Sequence, residues 1–391
     1  MKLSELYWHR ITPLHILLWP LSLIFGLFLT IRKLCYWLDF FPSTKLNIPV
    51  IVVDSISTED AGKTPLALWL VDMLQTRGLR PGIVAHGNLD NPNQPEAVTN
   101  NSDPANVGDK AILLAKRLPN ACPVWVGGNP AITAQALLDE NPDCNVIICT
   151  NGLQFPQLER DFEIAVVDFA EYSFGNGLLL PAGPLRANLK RLQNVDAVVI
   201  NGSQSSNYDT DDWAPSFYMK LVSETVYKLT QPGQRHPVSI LKNQKLHAVT
   251  RYQNAHWFLE QLQRIGLHGN LHSFDEEHRY VVSDFDKLDA ETIIMPEEEA
   301  IQCADFNQIT IWALPIEAWV SGELQASILN NLREKFADSE FINELICPEC
   351  KCQLRFNKKE NLLHCDQDQM VYTIKDGIPD LRHGHKQKHA A

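Results

Sequence analysis

Hydrophobic and polar positions follow two alternating rhythms along this chain. Short β-branched runs bounded by polar residues recur from residue 49 onward, and apolar residues at helical spacing separate them. The first run, Pro49-Val50-Ile51-Val52-Val53, reads as a buried parallel strand, and Leu66, Leu70 and Leu74 mark the helix after it, with Gly78 as its stop. Strands are predicted next at 81–85, 124–126, 146–149 and 164–168, with helices at 107–118 and 131–139 between them. The run 197–201 is expected to close this unit, and the polar, turn-rich residues 202–213 read as a linker. A second α/β rhythm follows, with strands at 246–249, 292–295 and 309–314, a helix at 255–265 and a helical exit at 324–341. Fully apolar strands alternating with helices predict a mostly parallel sheet covered on both faces. Ligands in such folds sit beyond the carboxyl ends of the strands, which places His86, Thr150, Asn151 and Asp168 on one rim with Lys63.

The amino-terminal pattern is different. No Asp, Glu, Lys or Arg occurs from Ile11 to Ile31, a run long enough to reach into or across a bilayer. Trp8, Trp19, Tyr36 and Trp37 suit the interfacial belt of such a segment. Arg10 precedes the run and Arg32-Lys33 follow it, so the charges set no orientation; no small-residue cleavage site comes after it. Pro20 and His15 weaken a simple span, and a buried core helix is the alternative.

Strand, loop, Gly62-Lys63-Thr64 and helix is the layout of a P-loop. There the helix N-terminus holds phosphate oxygens, the lysine reaches the β/γ-phosphates and the threonine ligates Mg²⁺. Glu59 and Asp60 stand where glycines would be most useful. Each faces a triphosphate with like charge, a repulsion of about 1–4 kcal/mol per pair.

Composition narrows the chemistry. A formal charge of −13 over 391 residues argues against nucleic acid as a partner. Four of the nine cysteines fall at Cys347, Cys350, Cys352 and Cys365, which fits one metal site in a reducing compartment better than a disulfide framework. Cys347, Cys350 and Cys365, with Asp368 as fourth ligand, form the two turns of a small zinc ribbon; Cys352 and His364 compete for the fourth place.

Several blocks carry a resemblance: the apolar segment with Pro20-Leu21-Ser22, Gly62-Lys63-Thr64-Pro65, Val107-Gly108-Asp109, Asn151-Gly152-Leu153-Gln154, Phe174-Gly175-Asn176-Gly177 and Leu180-Pro181-Ala182-Gly183-Pro184-Leu185-Arg186. With these the first 320 or so residues resemble the tetraacyldisaccharide 4′-kinase family of lipid A biosynthesis. Cys347-Pro348-Glu349-Cys350 and Asp376-Gly377-Ile378-Pro379 make the last fifty similar to the YcaR-type zinc-ribbon family, itself similar to activator subunits of tRNA methyltransferases. The resemblance implies a P-loop NTPase-like core at 46–202, a second, smaller α/β domain at 203–335 and a membrane-associated segment at 1–45. It further implies a zinc ribbon at 340–383 and a tail at 384–391. It implies transfer of the γ-phosphoryl of ATP, with Mg²⁺, to the 4′-hydroxyl of a tetra-acylated glucosamine disaccharide, at the cytoplasmic face of a bacterial inner membrane. Ser57, Gly62, Lys63 and Thr64 would bind nucleotide, and Asp109 with His278 would act in catalysis. A protein partner through the ribbon is a further implication.

Departures from the family pattern fall on the chemical blocks. Glu59-Asp60 replace the glycine pair, Lys110 replaces a Glu, and Ala85-His86-Gly87-Asn88-Leu89 replaces a Ser-Arg-Gly-Tyr-Gly block. Thr150-Asn151 replace two Mg²⁺-binding aspartates, and Phe155 a histidine. Glu276-Glu277-His278 stands for Asp-His-His, and Pro296-Glu297-Glu298-Glu299 for Thr-Glu-Lys-Asp. Two readings stay open: an active lipid kinase, or a catalytically silent, membrane-associated scaffold that acts through its ribbon.

Overall fold

The computed structural model describes residues 8, 12–58, 62–87, 89, 91, 93–118, 122–169, 174–202, 210–275, 278–286, 288, 292–337, 345–357, 360, 362–375 and 378–386. Glu59-Asp60, Asn88, Glu276-Glu277, Asp376-Gly377 and the end of the predicted exit helix lie outside them.

The strands are β1 (Val50–Asp54), β2 (Pro81–His86), β3 (Glu96–Ala97), β4 (Val124–Gly127), β5 (Val146–Thr150), β6 (Phe162–Asp168), β7 (Ala197–Asn201) and β8 (Ser216–Val222). They continue as β9 (Thr225–Lys228), β10 (Arg235–Pro237), β11 (Leu246–Arg251), β12 (Gly269–Phe274), β13 (Thr292–Pro296), β14 (Ile311–Leu314) and β15 (Glu317–Val320). Among the described residues, nine form one sheet in the order β15-β8-β7-β6-β1-β5-β2-β4-β3. The seven from β8 to β4 are parallel, and β15 and β3 run antiparallel at the two edges. A second sheet runs β10-β9-β14-β13-β11-β12 and is parallel from β14 to β12.

The helices are α1 (Leu14–Trp37), α2 (Lys63–Thr76), α3 (Pro104–Val107), α4 (Asp109–Arg117) and α5 (Pro130–Glu140), then α6 (Tyr252–Arg264), α7 (Val282–Asp286), α8 (Glu297–Ala300) and α9 (Gly322–Ala337). The period-two pattern of β1 explains the layering. Ile51 and Val53 face a core shared with Leu66, Leu70 and Leu74 of α2, while Val50 and Val52 face Ala131, Ala134 and Leu137 of α5. Each such side chain, fully buried, contributes about 1.5–3 kcal/mol, so sliding β1 by one residue would exchange both faces at once.

Two predicted boundaries move. The helix expected over 107–118 is two helices: Gly108, at φ +86° and ψ 147°, breaks the chain, and Asp109 opens α4. The first sheet does not close at Asn201 either. β8 pairs with β7 and β15 with β8, because β7 otherwise leaves an open edge of unpaired backbone groups.

α1 inverts the usual burial. Ile16, Leu17, Trp19, Leu23, Ile24 and Phe28 are exposed, whereas its buried residues are His15 and Ser22. A helix of 24 residues is about 36 Å long, and its most apolar 18-residue window has a mean hydropathy of 2.1. By length and composition it can cross a membrane; only 11% of its apolar window is buried, so it is not a core helix.

The last unit is a four-stranded antiparallel sheet: β16 (Arg355–Asn357), β17 (Leu362–Cys365), β18 (Met370–Lys375) and β19 (Ile378–Lys386). Its Leu354, Leu363, Tyr372 and Leu381 belong to the same core cluster as α2 and as Ile328 and Leu332 of α9.

Candidate functional site

The carboxyl end of β1 leads toward the seat of Lys63, at the start of α2. Gly62 sits at φ +84°, a left-handed conformation that L side chains rarely adopt, and hands over to α2. Lys63, the first residue of α2, is buried; its ammonium donates to Asn151 Oδ1 at 2.9 Å and lies 3.6 Å from Asp54 Oδ1. Asn151 is itself in the left-handed region at φ +64°, which turns its amide from the end of β5 toward the lysine. Asp54 is fully buried, and its two oxygens accept from Ser55 N at 2.7 Å and Leu153 N at 3.1 Å. Thr64 is buried behind Lys63, and Ser57 bridges to Leu185.

A shallow cleft opens beside this seat, lined by His86, Gly127, Pro130, Thr150, Asn151 and Phe155. His86 stacks on Phe155 with ring centroids 6.0 Å apart. Cys149, at its floor, has its thiol pushed up to about 12 by burial and by the nearby Asp54 carboxylate.

The segment 178–186 ties α1 to the seat. Ser22 Oγ donates to Leu179 O at 2.8 Å and accepts from Ala182 N at 3.0 Å, and Asn176 Nδ2 lies 2.9 Å from His15 Nε2. From the other side, Thr58 N donates to Pro184 O and Arg186 N to Ile56 O. One loop therefore carries both the apolar helix and the entry to the lysine.

Asp109 is held from the second unit. Arg251 donates to its Oδ2 at 2.9 Å, and Gln302 Nε2 lies 2.9–3.0 Å from both oxygens. Arg251 also stands over the Tyr280 ring, 6.0 Å from its centroid. The fully buried Glu299 accepts from Thr250 Oγ1, Arg251 N and Tyr280 Oη, so the Glu-rich block replacing Thr-Glu-Lys-Asp is satisfied inside the protein. Glu297 takes a two-pronged pair from Arg117 and a bond from Tyr227 Oη. Burial, with those carboxylates alongside, pushes both tyrosine hydroxyls far above their ordinary range. His278 pairs with Asp284 at 2.8 Å and stacks on Phe274. Asp109 and His278 are thus engaged by different partners, and Tyr280, against both His278 and Arg251, connects their surroundings.

At the carboxyl end, one ligand atom from each of Cys347, Cys350, Cys365 and Asp368 lies within 4.8 Å of the others. Cys350 Sγ and Cys365 Sγ are 3.3 Å apart, and Cys347 Sγ is 3.6 Å from Asp368 Oδ2. Of the competitors for the fourth place, Cys352 turns to Gln367 and His364 to Glu360.

Sequence reasoning missed Asp54, Arg251 and Gln302, and read Glu299 only as a departure from the family pattern. The first two end parallel strands, a position that marks the functional rim, and could have been found there. Gln302, in the turn after α8, reaches Asp109 only through the packing of that turn on α4, which leaves no local signal.

A parallel α/β sheet with a left-handed glycine and a buried lysine opening the helix after its central strand defines a P-loop-type protein. Residues 14–333 match the family described as LpxK, tetraacyldisaccharide-1-P 4′-kinase. The tetraacyldisaccharide 4′-kinases of Nitrosomonas eutropha and Nitrosomonas europaea are 42% and 39% identical over 379 residues, 97% of this chain and 96% of each relative. That of Methylobacillus flagellatus is 38% identical over 328 residues, 84% of this chain and 95% of the relative. The fold is also that of a crystal structure of LpxK from Aquifex aeolicus in complex with ATP, with a TM-score of 0.66 and 23% identity over 80% of this chain and 98% of that one. The chain belongs to the tetraacyldisaccharide-1-P 4′-kinase family.

Proposed function

We propose that this chain is an ATP- and Mg²⁺-dependent lipid kinase, which transfers the γ-phosphoryl group to the 4′-hydroxyl of a tetra-acylated glucosamine disaccharide at the cytoplasmic face of a bacterial inner membrane. The observation that carries this reading is the single loop 178–186, which joins the exposed apolar helix α1 to the Lys63 seat. A kinase acting on a membrane lipid needs a lipid-facing element fixed relative to its nucleotide site. Lys63 would clamp the β/γ-phosphates from the N-terminus of α2, and the Thr64 hydroxyl would hold Mg²⁺, which supplies charge neutralisation on the transferring group. Asp109, oriented by Arg251 and Gln302, would accept the proton of the sugar hydroxyl. The donor set Cys₃Asp suits Zn²⁺, whose tetrahedral site takes soft thiolates from two turns; Cys347, Cys350, Cys365 and Asp368 would hold it.

A second reading, a silent membrane-bound scaffold, is favoured by one observation. The lysine and the aspartate that the chemistry needs already have protein counter-charges, Asp54 for Lys63 and Arg251 for Asp109, and Thr150-Asn151 supply no carboxylate. The test is single-turnover transfer from γ-labelled ATP to the tetra-acylated disaccharide 1-phosphate in detergent micelles, with Lys63→Ala as control. Lipid labelling that depends on Lys63 upholds the kinase reading; none above the control overturns it and leaves the scaffold.

A further inference from the structure

The ribbon is built into the wall of the first unit, and its contacts converge on the far end of the helix that Lys63 opens. Gly78, just past the end of α2, sits at φ +89° directly against β19: a Cβ there would come 2.5 Å from Asp380 Oδ1 and 3.0 Å from Asp380 Cα. Asp380 is 2% exposed. A second tie comes from the cysteine knuckle itself. Lys351, between Cys350 and Cys352, pairs at 3.4 Å with Asp143, which also takes Arg80 at 2.5 Å, two residues beyond Gly78. A third is apolar: Tyr372, 1% exposed and in the cluster shared with α2, places its hydroxyl 3.1 Å from Cys347 Sγ. The cysteine cluster is therefore one residue away from the wall that α2 packs on.

A four-stranded sheet this small has too little core of its own to hold its turns, so bound metal would carry much of its folding energy. α2 is one unbroken helix of 14 residues, about 21 Å, with Lys63 at one end and the ribbon contact past the other. We propose that metal at Cys347, Cys350, Cys365 and Asp368 acts as an intramolecular brace: it orders the ribbon against Gly78 and Asp143, and through α2 it orders the Lys63 seat. The ribbon is thus a metal-dependent control on the phosphate seat within the same chain. This rests on the reading of the cluster as a metal site, and it stands whether or not the chain is an active kinase.

The test is hydrogen exchange on the full chain, as purified and after metal removal by a high-affinity chelator, with elemental analysis of both. Metal removal is expected to speed amide exchange in Leu70–Thr76 of α2 on the order of tenfold, together with exchange in β17–β19. Gly78→Ala, which strains the backbone and pushes Asp380 away, is expected to speed exchange in the same α2 amides with the metal still bound. Unchanged α2 exchange in both samples, with only ribbon amides affected, would overturn the brace. A chain that purifies without metal would overturn the metal dependence, while the Gly78→Ala comparison still reads the mechanical link.

Discussion

Asp54→Asn separates the two readings of the seat most sharply. The Asp54 carboxylate is fully buried, 3.6 Å from the Lys63 ammonium, whose side chain is 11% exposed. At an effective dielectric of about 20 the attraction at that distance is about 4–5 kcal/mol before desolvation, enough to compete with a phosphate for the lysine. Neutralising Asp54 removes that competitor and also an anion that would repel a polyphosphate. Since desolvation of the buried pair already cancels most of that attraction, a net improvement of about 1.4 kcal/mol, tenfold in affinity, is the expected scale. The substitution has a cost. The two oxygens of Asp54 accept from Ser55 N and Leu153 N, and the asparagine amide must turn its NH₂ toward one of them, destabilising the fold by about 1–3 kcal/mol. Isothermal titration with inorganic pyrophosphate and with ATP reads the affinity, and thermal unfolding confirms that the variant is folded. A folded variant that binds either anion no more tightly than the parent refutes the idea that Asp54 holds Lys63 back from phosphate.

Three further outcomes follow from the geometry. Glu297→Ala leaves the guanidinium of Arg117, whose side chain is 15% exposed, to the more exposed Glu317 at 3.6 Å and is expected to cost about 3 kcal/mol in urea unfolding, whereas Arg117→Met with Glu297→Met costs less. Ser22→Val leaves Ala182 N without its buried acceptor and Leu179 O with Gly183 N as its donor, so α1 should dock about 1–3 kcal/mol less tightly and become more sensitive to limited proteolysis. Burial pushes the thiols of Cys144, Cys149 and Cys303 up to about 12 from an ordinary value of 9.0. Stability from these groups is therefore complete below pH 9 and is lost as pH rises toward 12, and alkylation at pH 8 should spare them in the folded chain.

The amino-acid sequence by itself determined the rhythm of strands and helices in both α/β units, the position of Lys63 at a helix start and the uncharged run that became α1. These are local quantities: period, propensity and the charge of adjacent residues fix them before any long-range contact forms. The candidate metal ligands were legible for the same reason, since their spacing along the chain matches the spacing of two turns, although Asp368 over Cys352 and His364 required the fold of the knuckle. Tertiary structure alone decided where β8 and β15 pair, that the carboxyl-terminal sheet abuts α2, and that Arg251 and Gln302 reach Asp109 across more than a hundred residues. It also decided that the polar stripe of α1 is the one that docks. A buried charge takes whichever partner the packing delivers, and sequence separation carries no information about which one that will be.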